Sequence, residues 1–95
     1  MNCIFEWDEE KNEINFDKHE VWFDEAKTIW ADPHGLEIFD PDHSEDEDRF
    51  IRIDVSSLHR TLIVAFCERD EGEKIRIISA RKATPRERED YEERI

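Results

Sequence analysis

The chain has 95 residues, room for one domain with one core, because a chain this short buries only about two-thirds of its unfolded surface. Its apolar fraction of 37% and charged fraction of 43% depart from the usual ~45–50% and ~25% in the direction of disorder, but three Trp, six Phe and one Tyr are the residues that disordered chains lack. The net charge of −13 argues against a uniformly basic nucleic-acid binder, no apolar run approaches the ~20 residues of a membrane span, and the start Met1-Asn2-Cys3-Ile4-Phe5-Glu6 has neither the basic nor the apolar region of a secretory signal.

Ile4 to Trp7 alternates like a short edge strand. Asp8 then offers an N-cap, with Glu9 and Glu10 in the first turn where the helix dipole favours acids, and the helix is expected to reach Lys18 or His19. Lys11, Asn15 and Lys18 fall at i, i+4, i+7 and are expected to share a polar face. A second helix is expected from an Asp24 N-cap, with Ala26, Ile29 and Trp30 as its apolar stripe and Asp32-Pro33-His34-Gly35 as its stop. Leu36 to Phe39, Arg49 to Val55, Arg60 to Cys67 and Lys74 to Ala80 read as strands, and Asp40 to Asp48 as a solvated acidic loop without the Asp/Gly alternation of a calcium loop. Asp70-Glu71-Gly72-Glu73 reads as a hairpin turn, which places Arg60 opposite Ala83 and Arg81 about two positions away. Thr84-Pro85-Arg86-Glu87 combines a capping box with an N1 proline and opens a last, polar helix whose one large ring is Tyr91. The expected fold class is α+β over a single domain, residues 1–95: an antiparallel sheet with two N-terminal helices and one C-terminal helix.

Charge is polarised along the chain. Residues 1–47 hold 16 acidic and 3 basic side chains, whereas residues 48–95 hold 11 of each. From Lys74 to Arg88 six basic residues (Lys74, Arg76, Arg81, Lys82, Arg86, Arg88) face the single Glu87, which makes one corner fit for phosphate. Cys3 and Cys67 have no neighbouring thiol at metal or redox spacing and read as free thiols of a reducing cytoplasm. His34 and His59 likewise lack partners at ligand spacing and read as surface residues.

Several stretches then form one pattern. Phe5-Glu6-Trp7-Asp8 leads to Lys11, Asn15, Lys18-His19, Val21, Phe23, Glu25-Ala26 and Asp32-Pro33; Asp42-His43-Ser44 precedes Arg49; Arg60 opens Leu62-Ile63-Val64; and Ile75-Arg76-Ile77-Ile78-Ser79-Ala80-Arg81-Lys82-Ala83-Thr84 is followed by Glu87 and Tyr91. Over nearly its whole length the chain resembles the BrnT toxins, with Glu20 standing where that family commonly has Gly. The resemblance implies a RelE-like fold and a cytoplasmic endoribonuclease toxin that works without metal or cofactor. It also implies RNA as substrate, and a cognate antitoxin, a BrnA-like DNA-binding repressor, that holds the toxin in a hetero-oligomer and represses the shared operon.

Such nucleases let the ribose 2′-hydroxyl attack the adjacent phosphate, which needs fixed cations and proton carriers. Arg60 and Arg81 are the expected phosphate clamp, since a guanidinium fork holds two phosphate oxygens and stays charged. Tyr91 is expected to orient the hydroxyl or stack on a base, Lys18 and His19 to serve proton transfer or phosphate, and Arg76, Lys82 and Arg86 to hold RNA. The competing reading is a non-catalytic acidic module, a decayed toxin or nucleic-acid mimic that binds basic proteins.

Overall fold

The computed structural model describes residues 4–44 and 47–94. In chain order the elements are β1 (Ile4–Glu6), α1 (Glu9–His19), α2 (Phe23–Ala26) continued by a 3-10 turn over Lys27–Ala31, β2 (Leu36–Asp40), β3 (Arg49–Val55), β4 (Thr61–Arg69), β5 (Lys74–Lys82) and α3 (Pro85–Arg94). The five strands form one sheet in the order β1-β5-β4-β3-β2. β2 to β5 are antiparallel as expected, and β1 adds a parallel edge, pairing Ile4 with Lys74 and Glu6 with Arg76. The α+β class therefore holds, with a mixed sheet. Among the described residues no helix is long and apolar enough to cross a membrane.

One sheet face carries the core. Leu62, Val64 and Phe66 of β4 and Ile75, Ile77 and Ala80 of β5 meet Val21, Phe23, Ala26 and Ile29 from the helical segment, all at most 3% exposed. Aromatic edges extend it outward, with Trp30 against Phe5 at 5.3 Å and against Phe66 at 4.9 Å. Such contacts add about 0.5–1.5 kcal/mol each beyond area burial. α3 covers part of the other face, where Glu87, Asp90, Tyr91 and Arg94 enclose a cavity of about 180 Å³ with Leu36, Ile38, Ile53 and Ile63.

α1 is attached chiefly by two asparagines. Asp8 caps it as expected, accepting from the Glu10 and Lys11 amides. The expected polar stripe does not form, because Lys11 and Lys18 are exposed while Asn15 is only 6% exposed. The Asn15 side-chain amide donates to the Val21 carbonyl (2.9 Å) and the Ala80 carbonyl (2.8 Å), and its oxygen accepts from the Ala80 amide (3.1 Å). It stands in for a strand on the side of β5 that β1, ending at Glu6, leaves open. Asn15→Ala strands both backbone groups of Ala80, each worth about 1–3 kcal/mol when buried without a partner. We expect a loss of about 2 kcal/mol in urea unfolding, smaller for Asn15→Asp, which keeps the acceptor.

Asn12 explains a second departure. Its oxygen accepts from the Phe23 amide at 2.8 Å, so α2 is capped by α1 and begins at Phe23 behind Trp22, not behind Asp24. Glu20 ends α1 in the left-handed region (φ 59°, ψ 34°), a conformation glycine adopts without strain. At the β4–β5 turn Asp70, Glu71 and Gly72 all have positive φ. Cys67 is buried and free; Cys3, and Glu45 and Asp46 of the acidic loop, lie outside the described residues.

Candidate phosphate groove at the ends of β4 and β5

The turn joining β3 to β4 is tightly organised. Ser56 and Arg60 close it backbone to backbone (2.8 Å), and the Ser56 hydroxyl accepts from the Leu58 and Arg60 amides. His59 takes a positive φ of 61° there. The Ala83 amide donates to the Thr61 carbonyl (2.9 Å), which holds the end of β5 alongside. Between them lies a groove of about 270 Å³ lined by His59, Arg60, Thr61, Lys82, Ala83 and Arg88.

Arg60 is gripped from behind. Its Nε donates to Glu25 Oε2 (2.9 Å), and its Nη2 donates to Glu25 Oε1 and to the Glu20 carbonyl (3.0 Å). Glu25 is 7% exposed and also accepts from the Ser56 hydroxyl at 2.7 Å. Burial pushes its carboxyl up, but the hydrogen bonds from Arg60 and Ser56 and the Arg60 charge outweigh burial and hold it below the usual carboxylate range. Arg60 Nη1 has no hydrogen-bond partner among the described residues, so two donors of the fork stay free beside the groove. The Glu20 bond also places the last turn of α1, carrying Lys18 and His19, next to Arg60. Lys82 and Arg88 are exposed and form no ion pair with a described residue.

The expected clamp of Arg60 with Arg81 is not assembled. Arg81 pairs across the ladder with Ile63, while Arg60 shares the alternate face with Leu62, so the two guanidinium groups leave opposite faces of the sheet. Arg81 is bound bidentately by Glu87 (2.7 and 2.9 Å). Glu87 Oε1 also accepts from the Thr84 amide (2.9 Å), and the Thr84 hydroxyl accepts from the Glu87 amide (3.2 Å), so Arg81 completes the capping box of α3. The Arg81 hydrogen bond is the main cause that holds the Glu87 carboxyl down at about 2. A depressed carboxyl contributes stability above its unfolded value and loses it as pH falls toward the folded one. Urea melts between pH 5 and pH 2 should therefore show a steeper loss in the native protein than in Glu87→Gln.

Tyr91 is also displaced from its expected role. It is 3% exposed and donates to Asp54 Oδ1 at 2.8 Å; burial and that carboxyl raise the phenol to about 12. It locks α3 to β3 and cannot stack on a base. Arg76 lies along β5 beside β1, 3.8 Å from Glu6, and Arg86 sits exposed on the first turn of α3; neither lines the groove. The groove instead gathers Arg60 and Lys82 from the expected set and adds Arg88 and His59. Arg88 stood within the basic run, but its side of the helix was unassigned. His59 carried no signal, because its place depends on the turn.

The family described as "Ribonuclease toxin, BrnT, of type II toxin-antitoxin system" matches residues 7–87. The crystal structure of the Brucella abortus ribonuclease toxin BrnT superimposes with a TM-score of 0.60 at 23% identity, over 88% of this chain and 97% of that one, a likeness of fold. No curated protein matches the chain. The match across most of the length, carried by a sheet and helices of the same fold, places this chain in the BrnT family of ribonuclease toxins of type II toxin–antitoxin systems.

Proposed function

We propose that the protein is a cytoplasmic endoribonuclease toxin that cleaves RNA at the groove between the β3–β4 turn and the start of α3, without a metal. The observation that carries this reading is the convergence of Arg60, Lys82 and Arg88 with His59 on one recess of an otherwise anionic molecule. One RNA phosphate lies against Arg60 Nη1, Lys82 and Arg88, whose charge balances the negative charge that grows in the transition state. The 2′-oxygen forms a bond to phosphorus as the bond to the 5′-oxygen breaks. A neutral imidazole accepts the 2′-proton, and a protonated group supplies one to the leaving oxygen. His59 lies in the groove, and His19, with Lys18, lies at the end of α1 beside Arg60; these are the proposed proton carriers. A cognate antitoxin, a DNA-binding repressor of the BrnA type, holds the toxin silent in a hetero-oligomer.

Purified protein should cleave RNA in the presence of EDTA and leave 2′,3′-cyclic phosphate and 5′-hydroxyl ends. Cleavage that needs a divalent ion, or ends bearing 5′-phosphate, overturns the mechanism. The pairing of both Arg60 and Arg81 with carboxylates favours the second reading, a non-catalytic acidic module. Complete absence of RNA cleavage by the free protein, with tight salt-sensitive binding to basic proteins, would establish that reading instead.

A further inference from the structure

A second recess adjoins the first across the β3–β4 turn. This open groove of about 520 Å³ is lined by Asn12, Trp22, Asp24, Glu25, Ser57 and Leu58. Trp22 is 43% exposed and Leu58 63% exposed, so two large apolar side chains flank the opening. Neither position is slack. Trp22 stacks on Phe16 with ring centroids 4.1 Å apart and 11° between planes, which buries one ring face and fixes the other outward. Leu58 sits on the turn held by Ser56, and that turn is tied to the α2 continuation by the Ser57 amide donating to Thr28 Oγ1 at 2.9 Å.

Between the apolar posts the lining is acidic. Asp24 keeps 72% of its side chain exposed while pairing with the exposed Lys27 at 3.5 Å, and α1, which also carries Lys11 and Lys18, adds the exposed acids Glu10, Glu13, Asp17 and Glu20, so acids outnumber bases around the opening. A second copy of this chain would bring the same acidic half with it and be repelled. A segment with an apolar tip and flanking Lys or Arg meets both features, its stem on the Trp22 ring and its head near Asp24. The position matters as much as the chemistry. One turn supplies Ser57 and Leu58 to this groove and His59 and Arg60 to the phosphate groove, and Glu25 borders the first while holding Arg60 in the second.

We propose that the Trp22–Leu58 groove is the docking site for a cationic, apolar-tipped segment of the antitoxin, and that a partner seated there overhangs the neighbouring phosphate groove and excludes RNA. This rests on the toxin reading above for the identity of the partner. The test uses the full-length chain and its cognate antitoxin, with Leu58→Asp as the variant and Ile38→Asp, on the far edge strand and 46% exposed, as the control. Both changes are at exposed positions, and thermal melts establish that each variant is folded. Leu58→Asp is expected to weaken antitoxin binding by about tenfold or more, to relieve suppression of RNA cleavage, and to leave the free toxin's cleavage rate within about twofold. Ile38→Asp is expected to change neither, and amide exchange should slow on binding around Asp24 and from Ser57 to Arg60. Undiminished binding by Leu58→Asp, or a loss confined to Ile38→Asp, overturns the docking site while leaving the nuclease reading intact. A wild-type chain that cleaves RNA but does not bind the antitoxin overturns the partner and the docking site together. A wild-type chain that binds through Leu58 but never cleaves RNA overturns the nuclease reading and supports the docking site.

Discussion

Reversing Lys82 and Arg88 together (Lys82→Glu, Arg88→Glu) is expected to lower single-turnover RNA cleavage by about 100- to 1000-fold, the scale seen when a preorganised transition-state contact is lost. Both side chains are exposed, so the fold should barely respond; substitutions at such sites usually move stability by less than about 0.5 kcal/mol each. The change also makes the whole molecule more acidic, which by itself weakens RNA association at low salt. Arg86→Glu with Arg94→Glu alters net charge equally at exposed positions of the same helix outside the groove, and is expected to cost far less. If the two double variants lose activity to the same extent, only the overall field matters and the groove is not the site of cleavage. If Lys82→Glu/Arg88→Glu cleaves within tenfold of the native rate, the proposed site is refuted.

Arg60→Ala is expected to destabilise the protein by about 3–5 kcal/mol. It leaves the Glu25 carboxylate, 7% exposed, without the partner that keeps it ionised. Removing both partners is a different matter, because replacing a buried pair with apolar groups of similar volume is often nearly neutral. Urea unfolding should therefore show Arg60→Leu/Glu25→Leu recovering much of the stability that Arg60→Ala loses. RNA cleavage should not recover, since the free Nη1 donors are gone in both. A double variant as unstable as Arg60→Ala would mean that the Arg60 side chain supports the fold through the Glu20 carbonyl, not through Glu25.

The failure of the expected Arg60–Arg81 clamp has a single physical cause. Near the β4–β5 turn the register expected from the sequence is the observed one, with Arg69 opposite Lys74 and Cys67 opposite Arg76. Between Phe66–Ile77 and Ala65–Ser79 the ladder shifts by one, and Ile78 is the extra residue on β5. A one-residue bulge flips every later side chain to the other face. It moves Arg81 away from Arg60 and brings Lys82 to Arg60's side, opposite Leu62. Nothing in Ile77-Ile78-Ser79 announces this, because two adjacent isoleucines fit a strand covered on both faces equally well. Local chemistry was legible: the Asp8 cap, the Thr84–Glu87 box and the Gly72 turn all form where their residues require. Contacts across the chain were not. Asn12 and Asn15 look like surface residues of a polar helix, and only the open side of β5 and the uncapped start of α2 explain their burial.

The parallel pairing of β1 with β5 bears on how the molecule is made. Ile4–Glu6 leaves the ribosome well before its partners Lys74–Arg76, which follow several seconds later at about 5–20 residues per second. The β3–β4–β5 meander can assemble from neighbours in sequence, whereas the first strand must wait. The residues that line the groove, from His59 to Thr61 together with Lys82, Ala83 and Arg88, all come from the later part of this order, so the recess takes shape only once β4, β5 and the start of α3 are in place.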